Sequence, residues 1–279
     1  MDLAAITSQN AGVVTIVTDG AVTASVPVPG KPAAVAVDPV RGIIHVVAVE
    51  TKLLHRIAPD GREIARIPLP GAPFGVAVDP TNGHSLVSDW EGSGIVEVGD
   101  AVLREIATGA APSGIAVADG LIVTADRDAD QLTLIGDQTR HVAVGHHPFG
   151  VTIHDGHAFA ANVLSETVSV VDLDSATLVA TIPVGERPYA IAFAAGRGFV
   201  TNQYEESVTV FDAASWQVIG TIEVGEYPEG IAPYGDRLLV ANWFSDTLSV
   251  IDPMAMQVTE TLDMPAGPRA FGSFTATLP

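Results

Sequence analysis

The chain has 279 residues, no cysteine, and 33 acids against 13 bases, for a net charge of −20. Without cysteine it forms no disulfide, no thiolate metal site and no cysteine nucleophile. The acid excess argues against nucleic acid as a partner, because phosphate-backbone binding rests on Lys and Arg releasing counterions; it suits a solubilising surface, a cation or a basic partner.

Hydrophobic residues make up 47% and charged residues 16%, a globular balance, and 27 Gly with 19 Pro spread along the chain indicate many turns. The opening "MDLAAITSQNAGVV" has neither the basic start nor the apolar run of a secretory leader. No apolar stretch reaches the length of a membrane span, so no membrane association is expected. As it stands the chain is expected in the cytoplasm, or in the periplasm or outside the cell if a leader has been removed.

Residues 1–29 offer three strands with no Pro-led strand before them. Seven Pro-led strands follow, opened by Pro32, Pro73, Pro112, Pro148, Pro188, Pro228 and Pro268, at steps of 41, 39, 36, 40, 40 and 40 residues. "PFGVAV", "PSGIAV", "PFGVTI" and "PYAIAF" each show Pro, a Gly or Ala two places behind it, then alternating apolar positions, as strands with close backbone approach do. A second landmark is an eleven-residue block: "NVLSETVSVVD" at 162–172, "NQYEESVTVFD" at 202–212 and "NWFSDTLSVID" at 242–252. Residues 126–136, 89–99, 49–59 and 8–18 follow the same frame more loosely.

Each unit of about forty residues holds four short β segments, the pattern of a propeller blade. No helical period is sustained, so no helix is expected. The predicted fold is all-β, one seven-bladed β-propeller domain over 1–279. Its blades fall near 30–70, 71–108, 109–144, 145–184, 185–224, 225–265, and 266–279 joined with 1–29. The C-terminal inner strand and three N-terminal strands close the ring. A ring with only short, protected edges is expected to act as a monomer.

The phrases "FVTN…SVTVFD" and "VGERPYAIA" resemble the YVTN repeats of bacterial seven-bladed β-propellers. The resemblance covers nearly the whole chain, most clearly 145–252 and least in the first two blades, where Val49 stands in the Asn place. It implies the fold. It does not imply one activity, since such propellers include surface proteins, partners of cofactor pathways and enzymes.

If each inner strand runs from a top face to a bottom face, the loop before each Pro and the turn after each Asn share the top. Bottom turns such as "DPVRG" and "HDG" are ordinary turn chemistry, which makes Asp38, Asp79 and His154 poor site candidates. Asn162, Asn202 and Asn242 recur in one slot and read as structural. Function is sought where one blade differs from its sisters. Trp90, Trp243, Tyr189, Tyr204 and Tyr227 all map to the top. Such rings line ligand pockets and protein hot spots, or else plug the mouth between blades.

The leading expectation is a binding propeller recognising a small ligand or a protein at its top-face mouth. Trp90, Arg127, Phe149, Tyr189, Arg187, Tyr227, Trp243 and Arg269 are its candidate contacts. Aromatics supply area, Arg187 and Arg269 pair with anionic groups, and Glu229 and Glu226 with cationic ones. The alternative is a metal-assisted, lactonase-like hydrolase or a lyase, with His147 and Glu229 as catalytic residues and Asp89, Asp126 and Glu229 holding a divalent cation in the channel. A third reading is a structural or surface interaction module. The sequence names no certain cofactor. Asp126, Asp128 and Asp130 imitate the start of a Ca²⁺ loop, but Gln131 stands where that loop needs Gly, so a solvated acidic turn is the better reading.

Overall fold

The structure is a computed structural model, and it describes residues 1–278. Seven four-stranded antiparallel sheets form the ring, and no α-helix is present among the described residues. A 3₁₀ turn at Arg127–Ala129 is the one helical element among them. Six blades are continuous in sequence, with inner strands Pro32–Val37, Pro73–Val78, Pro112–Ala118, Pro148–His154, Pro188–Ala194 and Pro228–Tyr234. The seventh pairs Thr275–Thr277 with Asp2–Ser8, which continues to Val13–Thr18 and Ala21–Pro27. Closure by one C-terminal strand and three N-terminal strands is therefore what the sequence predicts.

The closing segment is less regular than its sisters. Pro268 bridges Ser8, Phe271 bridges Ala34 in parallel, and only Thr275–Thr277 is a regular strand. Gly272 permits this path. Its φ of 114° is open to Gly, and an added Cβ would lie 2.6 Å from Val35 O.

Each of the six continuous blades repeats one irregularity. Pro148 pairs Asn162, yet three residues later Val151 pairs Ala160, so the inner strand carries one extra residue; the same shift follows Pro32, Pro73, Pro112, Pro188 and Pro228. Such a bulge re-aims a side chain, here the one directly after the Pro. Next comes the small residue. A Cβ on Gly75, Gly114, Gly150 or Gly230 would collide with the backbone of the neighbouring inner strand, so these positions set how closely the blades approach at the channel.

The Asn slot works as a structural clamp. Asn162 Nδ2 donates to Thr167 and Ser169, Asn202 to Ser207 and Thr209, and Asn242 to Thr247 and Ser249. The residue after the slot donates its N–H to the carbonyl of the residue before the Pro, as in Gln203 to Arg187 and Trp243 to Tyr227. This bond corrects the first blade. Pro32 pairs Ala48, and the N–H of Val49 donates to Lys31. Ala48, not Val49, thus occupies the Asn place; the eleven-residue frame is one residue out there because nothing polar marks the slot.

The core is a set of apolar layers between blades, with Phe159, Phe199 and Phe211 fully buried. Outer strands alternate exposed and covered positions, as in Glu63–Pro68.

Candidate functional site

The seven residues directly after the Pro are Ala33, Phe74, Ser113, Phe149, Tyr189, Glu229 and Arg269. Five of them, Phe74, Phe149, Tyr189, Glu229 and Arg269, meet at the upper channel. Phe149 stacks on Tyr189 at 4.2 Å between centroids, and Phe74 meets Phe149 at 5.7 Å. Phe271 completes the group, 5.1 Å from Phe149 and 5.4 Å from Tyr189. Phe74, Phe149, Tyr189 and Phe271 are all buried. Trp90 covers them from above, 4.4 Å from Phe74, with the Arg127 guanidinium 3.8 Å over its ring. The aromatic candidates Phe149 and Tyr189 are therefore plug residues, covered from solvent. Phe271 escaped the sequence reading because it follows its Pro by three residues, beyond the slot compared between blades.

Beside the plug lies a buried ion pair. Arg269 Nε is 2.8 Å from Glu229 Oε2, with side chains 14% and 1% exposed. Arg269 Nη2 donates to the Tyr189 hydroxyl at 2.7 Å and Nη1 to Gln9 Oε1 at 3.3 Å, while Gln203 Nε2 donates to Glu229 Oε1 at 3.1 Å. The guanidinium also lies 4.6 Å over Trp243. Burial pushes the Glu229 carboxyl up to about 7, with Arg269 acting in the opposite direction. Burial likewise raises the Tyr189 hydroxyl. Glu229 Oε2 and Arg269 Nε meet only as charges, with no hydrogen bond to either atom, and the pair ties the closing segment to the sixth blade. Gln9 sits in the same place after its slot as Gln203, a correspondence legible from the 8–18 repeat.

The other candidates lie on the rim. His147 is half-buried, its N–H donating to Asp130 Oδ1 at 2.8 Å. Burial first, then the charge of Arg127, lowers its imidazole pKa; Asp128, Asp130 and Arg187 are its remaining charged neighbours. Glu229 answers to Arg269 instead. The two residues cast as a catalytic pair thus sit in separate charge environments.

The proposed cation ligands are not assembled either. Asp89 Oδ1 accepts the N–H of Ala72 at 2.9 Å. Asp126 is buried and accepts from Gly109 N, Thr124, Gln131 and Thr133. Glu229 is held by Arg269. Among the described residues no group of three or more His, Asp or Glu is placed to hold a metal ion. Asp89 and Asp126 occupy the Asn slot of their blades, where Asp126 makes the clamp bonds to Gln131 and Thr133 and Asp89 accepts from Ala72 N–H.

Exposed apolar side chains recur over the fourth to sixth blades, and those of the fifth and sixth meet. Leu164, Tyr204 and Phe244, each two residues past the Asn slot, are 51%, 55% and 64% exposed. Tyr227 links the last two, 5.7 Å from Tyr204 and 4.8 Å from Phe244, and Trp243 stands 6.4 Å from Tyr227. Arg187 lies 5.3 Å over Tyr204. Around these rings Glu166, Glu186, Glu205, Glu206, Glu226 and Asp246 are exposed. Arg187 and Tyr227 precede their Pro with φ of 56° and 57°, a left-handed backbone where Gly would be relaxed. Phe244 was not singled out from the sequence, although its slot mate Tyr204 was.

Below the plug the channel opens again toward the bottom face, as a cavity of about 460 Å³. His154 lines it, stacked 4.0 Å from Phe193. The sequence reading set His154 aside as part of a turn.

No helix among the described residues is long and apolar enough to cross a membrane. No protein-family model and no curated protein matches the chain. Solved structures do. A functionally unknown protein from Desulfotomaculum acetoxidans DSM 771 superposes with a TM-score of 0.80 at 14% identity, covering 97% of this chain and 99% of that one. A catalytically inactive virginiamycin B lyase from Staphylococcus aureus, solved with quinupristin, gives 0.75 at 14% identity over 86% and 87%. Apo AztD from Citrobacter koseri gives 0.74 at 13% identity over 99% and 97%. At such identities the likeness establishes the fold, a seven-bladed β-propeller, and leaves activity to be argued from this chain's own surface.

Proposed function

We propose that the chain is a binding propeller whose top face, over blades four to six, recognises a cationic segment of a partner protein. The observation that carries this is the set of exposed Leu164, Tyr204 and Phe244 with half-buried Tyr227 and Trp243, ringed by six exposed acids, with Arg187 over Tyr204 and largely buried Arg269 over Trp243 as the bases against it. Aromatic faces attract Lys and Arg through their quadrupole, and neighbouring carboxylates add steering and pairing. These side chains line none of the cavities described below the plug, which suits a polypeptide better than a small molecule; small ligands favour concave pockets. The hydrolase or lyase reading has less support, since His147 and Glu229 answer to different charged neighbours and the acids named for a metal serve other bonds.

The test is fluorescence anisotropy with a labelled peptide of alternating Arg and Gly, set against one of alternating Asp and Gly. The Arg peptide should bind, and more weakly as salt rises. The double variant Tyr204→Ser/Phe244→Ser should weaken binding about tenfold or more, as loss of an aromatic hot spot does. Equal affinity for both peptides, or no effect of the double variant, would refute the assignment.

A further inference from the structure

The lower channel carries a second site. The cavity of about 460 Å³ adjoins another of about 250 Å³, and the two share Ile115, Val151, Thr152, Ile153, Ser273 and Thr275, so they form one space along the axis. That volume falls in the range of small-molecule sites, roughly 300–1,000 Å³. Phe271 and Gly272 border it from above, where the aromatic plug ends passage through the ring. It is a blind pocket with one mouth, on the bottom face.

Its chemistry is specific. Val76, Ile115, Val151, Ile153, Ile231 and Phe271 supply apolar wall. The inner strands are the first of their sheets, so their outer edges also turn backbone N–H and C=O groups toward the axis. Thr152, Ser273 and Thr275 add hydroxyls, and the His154–Phe193 stack adds a flat face. No Lys, Arg, Asp or Glu lines either cavity. At the mouth the charges are acidic. Asp155 directly follows His154, Asp236 directly follows Gly235, and Asp2 accepts from the lining residue Thr277 at 2.6 Å. The nearest bases are paired with acids: Arg237 with Asp252 at 2.9 Å, and Arg41, whose guanidinium also reaches the carbonyl of the lining residue Pro80, with Asp38 at 3.0 Å.

We propose that this channel binds an uncharged, mostly apolar small molecule bearing hydrogen-bonding groups. The walls bury its body, the strand edges and hydroxyls meet its polar atoms, and the acidic mouth turns anions away. The site is independent of the top-face surface, from which the plug separates it.

Nile red, uncharged and largely apolar, is the probe; the anionic dye 8-anilinonaphthalene-1-sulfonate is its counterpart. Titration should give saturable blue-shifted Nile red emission at one dye per chain, and at least about tenfold weaker binding of the sulfonate. Ser273→Trp should fill the channel, because Ser273 is exposed into it and its hydroxyl makes no hydrogen bond among the described residues. Thr152→Phe is the second blocking variant. Circular dichroism melts identify a variant that still folds. Loss of Nile red binding by at least about tenfold in a folded blocking variant, with Tyr204→Ser/Phe244→Ser binding it normally, supports the site. Unchanged binding in folded blocking variants, loss on the Tyr204/Phe244 change, or no saturable binding would overturn it.

Discussion

Arg269, on the segment that closes the ring, holds Glu229 of the sixth blade in a 2.8 Å ion pair that is almost wholly buried. Two charges taken out of water gain little net stability as a pair, but either one left alone is costly. At pH 8, where Glu229 is ionised, Glu229→Leu or Arg269→Met should each destabilise the protein by about 3–5 kcal/mol. The double variant Glu229→Leu/Arg269→Met should lose much less than the sum. Urea unfolding of the four proteins measures this as a double-mutant cycle. Additive losses would mean that the pair is incidental.

The same segment supplies more than a charge. Residues 268–277 contribute Phe271 to the plug and the inner strand of the seventh blade, and the backbone N–H groups of Val35 and Val37 donate to Phe271 and Ser273. Removing 268–279 should therefore abolish cooperative unfolding of the whole ring, instead of fraying one blade. A truncated chain melting within a few degrees of the full one would show that the blades are stable without closure.

Two glycines should respond in opposite degree to the same change. Gly75 has ordinary φ, but its Cβ position collides with the carbonyl of Ser113 on the next inner strand. Gly156 sits in a bottom turn at φ 72° with nothing within 4 Å of an added Cβ. Gly156→Ala should cost about 1–2 kcal/mol, the left-handed penalty. Gly75→Ala forces two blades apart and should cost more, at or beyond the upper end of the ~1–3 kcal/mol seen for overpacking. Chemical denaturation ranks the two, and the reverse order would show that the inner strands have slack.

The fold was legible because a propeller repeats its instructions. Pro, the small residue after it and the Asn slot each recur for one physical reason: the bulge, the close approach of strands, the clamp. The reading slipped where a blade omits its marker, as at Ala48. The site was less legible. That top-face residues vary is written in the sequence. Which of them face solvent and which fill the axis depends on seven strands meeting, so Tyr189 and Tyr204 looked alike although one is buried and the other exposed. The lower channel went unread for a related reason. It is bordered by strand edges, which have no side-chain signature, and His154 looked like any other turn residue.

Two buried groups set opposing pH slopes. Glu229 moves from an ordinary 4.5 up to about 7, so between those values the folded state holds a proton that the unfolded state has lost. Its contribution to stability is full below pH 4.5 and is lost as pH rises through 7, on the order of 3 kcal/mol in all. His45 moves the other way, from 6.5 down to about 3, chiefly by burial and then by the charge of Arg56. Its Nδ1 lies 2.7 Å from Ser85 Oγ while its Nε2 has no partner. A folded state that cannot protonate His45 is favoured above pH 6.5 and loses that advantage as pH falls toward 3. Between pH 4.5 and 6.5 the two slopes oppose each other, and the native protein should show a shallow dependence from this source. Glu229→Gln removes the falling slope, so its stability relative to the parent should rise with pH from 4.5 to 7. His45→Gln keeps a polar group at Ser85 and removes the rising slope, so its stability relative to the parent should fall over that window. Urea midpoints at fixed ionic strength across pH 4.5–7.5 read both differences. Curves parallel to the parent's would mean that neither group changes its protonation on folding.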